Sequence, residues 1–445
     1  MANTYLTRTN SGTGSETKGT YSAWIKRSIL GGASDYLWHT SEDTNNDIKI
    51  LTNSSDSIRV RGINNGSAIV NLIPNKLFKD VSGWYHLVVA FDTTQATEAD
   101  RVKMYVNGVQ ITSFSTATYP SQNLNLKLNQ SGDRRTIGTA YDNGGSPSAA
   151  YWNGLMTQVI WVDGTAYAPS TFGSVNATSG IWVGNTSPTV TYGTNGYNLD
   201  MANSSDMGND VSGNANDFTV SGTLTQAEDC PDNVFATMNP LYLGATSTTL
   251  ANGNTTINYD TDSSRSAFGT LGMTSGKYYF EVKIVSDSNN RGSYGICDTL
   301  YSNINGNAAF IDSSSGYGYS ADGQKVNGGS SSSFGAAITT GDIVGVALDM
   351  DNSKLYFSKN GVFQNSGDPT SGSTGTGAAF TVTADRTYLP AIRMRNGTKG
   401  AFNFGNGVFV TTAVSSAGTN ASSNGIFEYD VPTGYTALTT KGFNL

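Results

Sequence analysis

GWYHLVVAFD (83–92) and RVKMYVNGVQITSF (101–114) are followed, about 250 residues later, by GDIVGVALDMD (341–351) and SKLYFSKNGVF (353–363), which repeat their pattern. In both places an apolar run ends in Asp, a Tyr-containing run follows, and Asn-Gly precedes Val. Asn-Gly between apolar runs is a strong hairpin signal, because both turn positions need positive φ. The pattern predicts two β-hairpins, and the long spacing favours two similar domains over a short-period solenoid.

The composition of the chain is typical of an all-β protein. Its 445 residues allow two or three domains, and only 13% of them are charged. Glycine is abundant (52 residues), and Tyr (23) and Phe (18) outnumber Trp (6). Strand-length apolar runs alternate with turn-forming residues, and helical periodicity is almost absent. We therefore expect two antiparallel β-sandwich (jelly-roll-like) domains.

The charge and hydropathy of the chain argue against several classes of protein. The net charge is −8 and the pI is about 4.8, without the basic cluster that a nucleic-acid binder needs. No apolar run approaches the ~20 residues of a membrane span, and the N-terminal residues lack the apolar segment of a signal peptide. We expect no nucleic acid, no membrane insertion and no disulfide, because Cys230 and Cys297 fall in different predicted domains.

The predicted domain organisation has three parts. The first sandwich is placed at residues 1–180, an Asn/Asp/Gly-rich extension and linker at 181–240, and the second sandwich with a C-terminal tail at 241–445. Every Trp lies at or before Trp182, which indicates two independently built cores.

Each predicted sandwich resembles a known family. The second resembles a SPRY domain in four segments: GKYYFEVKI (276–284), GYGYSADGQK (316–325), GDIVGVALDMDNSKLYFSKNG (341–361) and YLPAIRM (388–394). The first resembles a laminin-G or concanavalin-A-like lectin/glucanase sandwich in three: YSAWIKR (21–27), GWYHLVVAFD (83–92) and KMYVNGV (103–109).

The region between the domains carries a further resemblance. NGYNLDMANSSDMGNDVSGNANDF (195–218) and CPDNVFATMNPL (230–241), combined with the two domain types, are similar to proteins of marine tailed bacteriophages. That resemblance implies a virion protein, such as a fibre, a tail appendage or a capsid decoration.

The sequence offers little support for catalysis. Glycoside hydrolysis needs two carboxylates that face a cleft, and the glucanase relatives carry three acids on one strand. The nearest text, Glu428 to Thr433, lacks the third acid, contains Pro and lies in the other domain. Of the two histidines, His86 falls inside a predicted strand, with no nucleophile pattern beside it. We expect no enzymatic activity.

A metal site rests on the resemblance to laminin-G domains, which often bind calcium. Four aspartates in the extension are dense enough to contribute oxygen ligands: Asp200, Asp206, Asp210 and Asp217. Asp is also a standard turn former, and the segment does not match an EF-hand loop. We expect no cofactor, and a structural calcium ion is the alternative left open.

Ligand binding is expected where aromatic rings flank polar loops, since sugars pack on ring faces and hydrogen-bond to amides and carboxylates. In the first domain the candidates surround the loop 144–145; in the second they lie near a ribbon that SPRY relatives often use for binding. For each aromatic, core packing is the competing interpretation. The candidates are Tyr141, Asp142, Asn143, Tyr151, Trp152, Tyr317, Tyr319 and Asp322.

The sequence therefore favours a non-enzymatic virion structural protein that adheres to host-surface glycans or proteins. Its expected partners are other virion proteins and a host receptor, in a homo-oligomer for which a trimer is favoured, and its expected location is the virion. Two alternatives stay open: a stand-alone carbohydrate-binding lectin and a polysaccharide-degrading glucanase-like enzyme.

Overall fold

The chain folds into two compact units, residues 1–226 and 227–445. The structure, a computed structural model, describes residues 4–32, 34–43, 45–141, 146–148, 150–245, 247–287, 290–302 and 308–444. The regular structure is β-strand with short 3-10 helices at Glu98–Asp100, Pro169–Thr171, Phe310–Asp312, Gln364–Ser366, Gly372–Thr374 and Gly442–Asn444.

The first unit is built from two antiparallel sheets. One has eight strands in the order β10-β6-β5-β4-β3-β11-β1-β16, and the other has six in the order β15-β12-β2-β7-β8-β9, with β13 and β14 paired separately. The strands are β1 (Tyr5–Thr9), β2 (Lys18–Arg27), β3 (Asp35–Asp43), β4 (Asn46–Thr52), β5 (Ile58–Asn64), β6 (Ser67–Pro74), β7 (Tyr85–Asp92), β8 (Val102–Val106), β9 (Val109–Gln110), β10 (Phe114–Thr118), β11 (Arg134–Ile137), β12 (Gly154–Asp163), β13 (Gly173–Val175), β14 (Trp182–Gly184), β15 (Tyr197–Leu199) and β16 (Thr219–Ser221).

The second unit is also a pair of large sheets. One has the order β17-β20-β30-β22-β23-β24-β25, and the other has β18-β19-β31-β21-β26-β27-β28, with β29 beside β27, β34 beside β21 and a separate pair β32-β33. The strands are β17 (Met238–Leu243), β18 (Thr249–Ala251), β19 (Thr256–Tyr259), β20 (Arg265–Gly269), β21 (Lys277–Ser286), β22 (Ser293–Asp298), β23 (Gly316–Ser320), β24 (Gln324–Asn327), β25 (Ser330–Ser333), β26 (Ile343–Asp349), β27 (Lys354–Lys359), β28 (Val362–Phe363), β29 (Phe380–Thr381), β30 (Tyr388–Met394), β31 (Thr398–Asn403), β32 (Val408–Phe409), β33 (Thr412–Ala413) and β34 (Thr436–Ala437).

Both predicted hairpins are present, and the all-β fold class is confirmed. In the first unit the Asn-Gly turn joins β8 to β9, and φ is 49° at Asn107 and 78° at Gly108. In the second unit it joins β27 to β28, and φ is 48° at Asn360 and 80° at Gly361. These positive angles are those of the two-residue turn that matches strand twist.

The strand that pairs with the first strand of each hairpin carries a lysine opposite the hairpin's aspartate in both units. Lys18 of β2 lies opposite Asp92, and their charged groups are 3.3 Å apart. Lys277 of β21 lies opposite Asp349, with 3.0 Å between the charged groups. The repeated sequence pattern therefore produces a repeated ladder of strands in the two units.

The Asn/Asp/Gly-rich region is divided between the units. β15 pairs with β12 and β16 pairs with β1, so both large sheets of the first unit gain an edge strand from it. The division falls at residues 226/227, before the predicted domain start at 241. Phe235 and Met238 account for the difference, because both are buried in clusters of the second unit.

In the described residues we find no helix with the length and apolar character that a membrane crossing requires. Cys230 and Cys297 are both free thiols, but they lie together in the second unit, so their expected assignment to separate domains was wrong. Burial raises the pKa of each thiol, so neither is poised as a thiolate nucleophile.

Candidate functional site

A cluster of three half-buried tyrosines lies on the outer face of the eight-stranded sheet. The ring centroid of Tyr5, at the start of β1, is 6.2 Å from that of Tyr141 and 6.2 Å from that of Tyr151. The Tyr141 hydroxyl donates a hydrogen bond of 3.4 Å to the Tyr5 hydroxyl. Tyr5 faces outward because strands alternate and the next residue, Leu6, is buried in the core.

A guanidinium group completes this tyrosine cluster. The Cζ atom of Arg134, on β11 beside β1, lies 4.0 Å from the ring centroid of Tyr141, within cation–π distance. Aromatic faces pack against the C–H faces of sugars, while hydroxyl and guanidinium groups hydrogen-bond to them. The cluster therefore has the chemistry of a glycan-binding surface.

The structure separates the candidates of the first domain into three groups. Tyr141 and Tyr151 come together on Tyr5, whereas Trp152 packs against the core of the unit, so its ring is not part of the cluster. Asp142 and Asn143 lie outside the described residues. Sequence analysis missed Tyr5 and Arg134, because the pairing of β1 with β11 joins segments far apart in the chain.

Three of the four aspartates considered for calcium, Asp200, Asp210 and Asp217, accept hydrogen bonds in turns through their carboxylates. The Asp200 carboxylate accepts from the Ala202 N–H, and that of Asp217 accepts from the Asp210 N–H. Asp206 is exposed, and its backbone contributes to the turn. The Asp210 carboxylate accepts from the N–H groups of Asn198, Ser212 and Asn216. Within the described ranges no three Asp, Glu, His or Cys side chains converge as metal ligands.

Tyr317 and Tyr319 are not surface residues, which corrects the expectation that they bind a ligand. Both belong to the core of the second unit, with 7% and 0% of their surface exposed. Strand alternation explains this: in β23 the tyrosines face the core and the glycines face outward. A Cβ atom at Gly318 would lie 2.6 Å from Ile311, so the glycine lets the turn at Phe310–Asp312 pack on the sheet.

A cavity of about 290 Å³ lies on that outer face, beside the packed turn. Asp322, the remaining sequence candidate, is exposed and lines it. Two arginines and a second aspartate line it as well: Arg291, Arg393 and Asp312. Sequence analysis missed these three, since the sheet order β30-β22-β23 brings them together from separate segments.

The polar groups of this cavity are only partly paired with each other. Arg393 Nε donates to Ser264 Oγ at 3.1 Å, and Asp312 Oδ2 accepts from the Ala309 N–H at 2.8 Å. Burial lowers the pKa of Arg393, and the Asp312 charge opposes that shift. With two guanidinium and two carboxylate groups, the cavity suits a polar ligand that both donates and accepts hydrogen bonds.

Both histidines are buried rather than placed in a cleft. His86 lies between two rings: its centroid is 4.8 Å from that of Trp24 and 5.9 Å from that of Trp182. Burial lowers the pKa of His86 to about 3. Glu428 and Asp430, the nearest text to a hydrolase motif, accept hydrogen bonds from Ser415 and Thr419.

Comparison with known proteins identifies both domains. Residues 1–170 match the concanavalin A-like lectin/glucanases superfamily of the laminin G type, and residues 277–407 match the SPRY domain. The chain therefore contains a concanavalin A-like domain followed by a SPRY domain. Lectin-like and SPRY domains support a binding or adhesion role.

Two curated proteins are similar to parts of the chain. The ATP-dependent RNA helicase Ddx1 of Drosophila melanogaster is 29% identical over 133 residues, which are 29% of this chain and 16% of the helicase. The corresponding helicase of Xenopus laevis is 32% identical over 92 residues, or 21% of this chain and 12% of the helicase. The chain thus matches less than a fifth of either protein.

Solved structures similar to the chain include a SPRY domain and a pentraxin. The SPRY domain of human HERC1 aligns with 37% of this chain and 96% of its own, at 19% identity and a TM-score of 0.30. The heptameric SAP-like pentraxin of Limulus polyphemus aligns with 41% of this chain and 85% of its own, at 15% identity and a TM-score of 0.30.

Proposed function

We propose that the chain is a structural protein of a bacteriophage virion, carried as a fibre, tail appendage or capsid decoration. It presents its lectin-like and SPRY domains for adhesion to glycans or proteins of the host surface. Two binding-type domains in one chain support this role, as does the sequence resemblance of residues 195–218 and 230–241 to phage proteins.

The observation that carries the adhesion part is the tyrosine cluster with Arg134. Tyr5, Tyr141 and Tyr151 offer aromatic surface and hydroxyls beside a cation on the outer face of a sheet. Such a surface binds a sugar weakly at each site. Adhesion then gains strength from many copies, so we propose a homo-oligomer, with a trimer favoured, attached to other virion proteins.

The proposed role is non-enzymatic and uses no cofactor. The surface that supports it is made of aromatic rings and a guanidinium group, which bind a glycan without reacting with it. An assay for reducing sugar released from marine polysaccharides tests this point, and steady turnover that scales with protein concentration contradicts it.

The virion role is tested by quantitative mass spectrometry of purified phage particles. We expect the chain in intact particles at a fixed copy number, in a multiple of three for a trimeric appendage. Its absence from particles, together with a soluble protein that binds glycans, would establish the stand-alone lectin instead.

The adhesion role is tested on a glycan array and by titration of the glycans that bind. Tyr141→Ala removes a ring of the tyrosine cluster and should weaken binding by about tenfold or more. Tyr105→Ala is the matched control, because Tyr105 is a half-buried tyrosine of β8 in the other sheet. Equal binding by the two variants would remove the tyrosine cluster as the adhesion surface.

A further inference from the structure

A row of basic side chains crosses the outer face of the eight-stranded sheet. His39 of β3, Lys49 of β4 and Arg61 of β5 lie directly opposite one another in the register of neighbouring strands. Thr136 of β11 lies opposite His39 on one side, and Asn71 of β6 lies opposite Arg61 on the other. Direct cross-strand partners share a face, so these five residues form one row, which we call the basic row.

The basic row places like charges next to one another, which costs stability unless something offsets it. Lys49 and Arg61 are direct partners, and Arg59 lies two residues along β5 on the same face. Burial and the Arg61 charge lower the pKa of Arg59. Within the described part of the chain Arg61 makes no ion pair. Arg59 Nε donates to Asn71 Oδ1 at 2.8 Å. The Arg61 charge opposes the rise in the pKa of Asp47, so the remaining N–H groups of the two arginines are those available to an anion.

The acids near the basic row neutralise only part of it. Asp47 is 2.8 Å from the Lys49 ammonium group, and burial raises the pKa of Asp47. At the rim of the sheet, Glu42 pairs with Lys127, and Asp43 accepts hydrogen bonds from Asn46. A local positive excess thus persists in a chain whose net charge is −8.

The low exposure of the basic row determines how its charges act. The Lys49 side chain is only 12% exposed and the arginines are half-buried, so their charges act in surroundings that screen them less than bulk water does. His39 is fully buried in the same row, and burial together with the charges of Lys49, Arg135 and Arg134 lowers its pKa, so it adds no positive charge to the surface.

The basic row and the tyrosine cluster belong to one face of one sheet. Arg134 of β11 touches Tyr141, and β11 is the neighbour of β3, where the row continues with His39. Three strand spacings of ~4.8 Å, or roughly 14 Å, separate Arg134 from Arg61. Within the basic row His39 and Thr136 are fully buried. The accessible contacts for an extended glycan therefore lie at Arg134 and the tyrosine cluster on one side and at Arg59 and Arg61 on the other.

We propose that this face binds an acidic polysaccharide, whose carboxylate or sulfate groups contact Arg59, Arg61 and Arg134 while a sugar ring packs on the tyrosine cluster. The inference rests on the proposed adhesion function and names the class of glycan. A nucleic acid fits less well, because a protein that binds a phosphate backbone usually carries an extended basic surface, whereas this row is short and one acid interrupts it.

The experiment is a binding titration of the full chain with labelled polygalacturonate, dextran sulfate and uncharged dextran, at low and at physiological salt. We expect the acidic polymers to bind, the uncharged one not to bind, and affinity to fall as salt rises. The carboxylate and sulfate polymers distinguish the two sources of negative charge. Arg61→Gln should weaken binding by about three- to tenfold, and Asp47→Asn should tighten it by about two- to fivefold.

Lys103→Gln is the matched control, since it removes one positive charge from β8 of the other sheet, where Lys103 pairs with Asp100. Weakening by Arg61→Gln no greater than that by Lys103→Gln overturns the inference. So does duplex DNA that binds as tightly as the acidic polymers. Binding to neutral glycans alone overturns the inference but keeps the proposed adhesion, whereas no binding to any glycan defeats both.

Discussion

The two units form the same hairpin ladder yet bury opposite charges. In the first, Arg135 is fully buried, with its Cζ atom 5.1 Å from the ring centroid of Trp38 and 4.9 Å from that of Trp161. In the second, Glu281 is fully buried and its carboxylate accepts hydrogen bonds from four donors. The hairpin ladder is specified by residues that are close together in the sequence, whereas each buried charge is held by contacts from distant segments.

The location of the tryptophans allows the unfolding of the first unit to be followed separately. Every tryptophan lies at or before Trp182, in the first unit, so tryptophan fluorescence reports only that unit. Circular dichroism reports the strands of both. A variant in one unit should therefore move one transition and leave the other in place, provided that the units unfold independently.

The largest expected effect follows from Arg135→Ala. It leaves a cavity beside the two stacked tryptophan rings and removes hydrogen bonds to the Leu128 carbonyl and to Asn129 Oδ1. We expect a loss of about 3–5 kcal/mol in the free energy of unfolding, measured by urea titration with tryptophan fluorescence. Lys103→Ala, at a half-exposed ion pair, should cost less than ~1 kcal/mol. Similar values for both variants would show that the buried cation does not hold the first core.

Glu281→Ala should produce the next largest effect, in the second unit. It leaves the backbone N–H groups of Glu428 and Tyr429 without their acceptor, and these hold the C-terminal segment on β21. We expect a loss of about 2–4 kcal/mol, seen by circular dichroism. Glu428→Ala is the control, because its carboxylate accepts solvent-exposed hydrogen bonds from the nearby Ser415. A shift of the tryptophan transition would contradict the independence of the two units.

The ladders could be predicted from sequence because their signals are local. Asn107-Gly108 and Asn360-Gly361 specify their turns within a few residues, and apolar alternation specifies the flanking strands. The same alternation, followed through GYGYS, assigns Tyr317 and Tyr319 to the core and the glycines to the opposite face of the sheet, where the turn at Phe310–Asp312 covers them. The expectation of surface tyrosines was wrong because the two-residue period of the strand, and not the resemblance to SPRY relatives, decides which side chains face the core.

The candidate sites could be predicted only in part, because sheet order assembles them. Tyr141 and Tyr151 were found as aromatics beside a polar loop, but Tyr5 and Arg134 join them only through the pairing of β1 with β11. The basic row could not be predicted from the sequence for the same reason, because strand pairing brings together residues that are far apart in the chain and form no basic run.

The pH dependence of stability should run in opposite directions in the two units. Burial lowers the pKa of His86 from 6.5 to about 3, so its contribution is present above pH 6.5 and is lost as pH falls. The free energy of unfolding of the first unit should fall by about 2 kcal/mol between pH 7 and pH 5 because of His86. Burial raises the pKa of Glu281 from 4.5 to about 7, so its contribution is present below pH 4.5 and is lost as pH rises towards 7.

The two contributions are isolated by variants. In the first unit, burial also raises the pKa of Asp35 and Asp133 to about 6, with the opposite sign to His86. The measurement is therefore the difference in pH slope between the natural chain and His86→Phe by tryptophan fluorescence. For the second unit, the same difference in pH slope is measured between the natural chain and Glu281→Gln by circular dichroism. Unchanged slopes in both variants would assign the pH dependence to other groups.

The smallest effect tests whether the two hairpins are equivalent. A Cβ atom at Gly108 would lie 2.3 Å from the Trp182 ring, and one at Gly361 would lie 2.6 Å from the Tyr429 ring. Gly132 and Gly341 also have positive φ, at 87° and 96°, but would meet nothing within 4 Å. All four Gly→Ala variants add backbone strain of about 1 kcal/mol. Gly108→Ala and Gly361→Ala, which also meet an aromatic ring, should lower the free energy of unfolding by a further ~1 kcal/mol relative to Gly132→Ala and Gly341→Ala.

That excess is measured as the difference in midpoint between Gly108→Ala and Gly132→Ala by tryptophan fluorescence, and between Gly361→Ala and Gly341→Ala by circular dichroism. Equal differences in the two units would mean that an aromatic ring over the Asn-Gly turn belongs to the shared hairpin design. A difference in the first unit alone would instead show that only Trp182, held by its hydrogen bond of 2.9 Å to His86, is fixed firmly enough to resist the added methyl group.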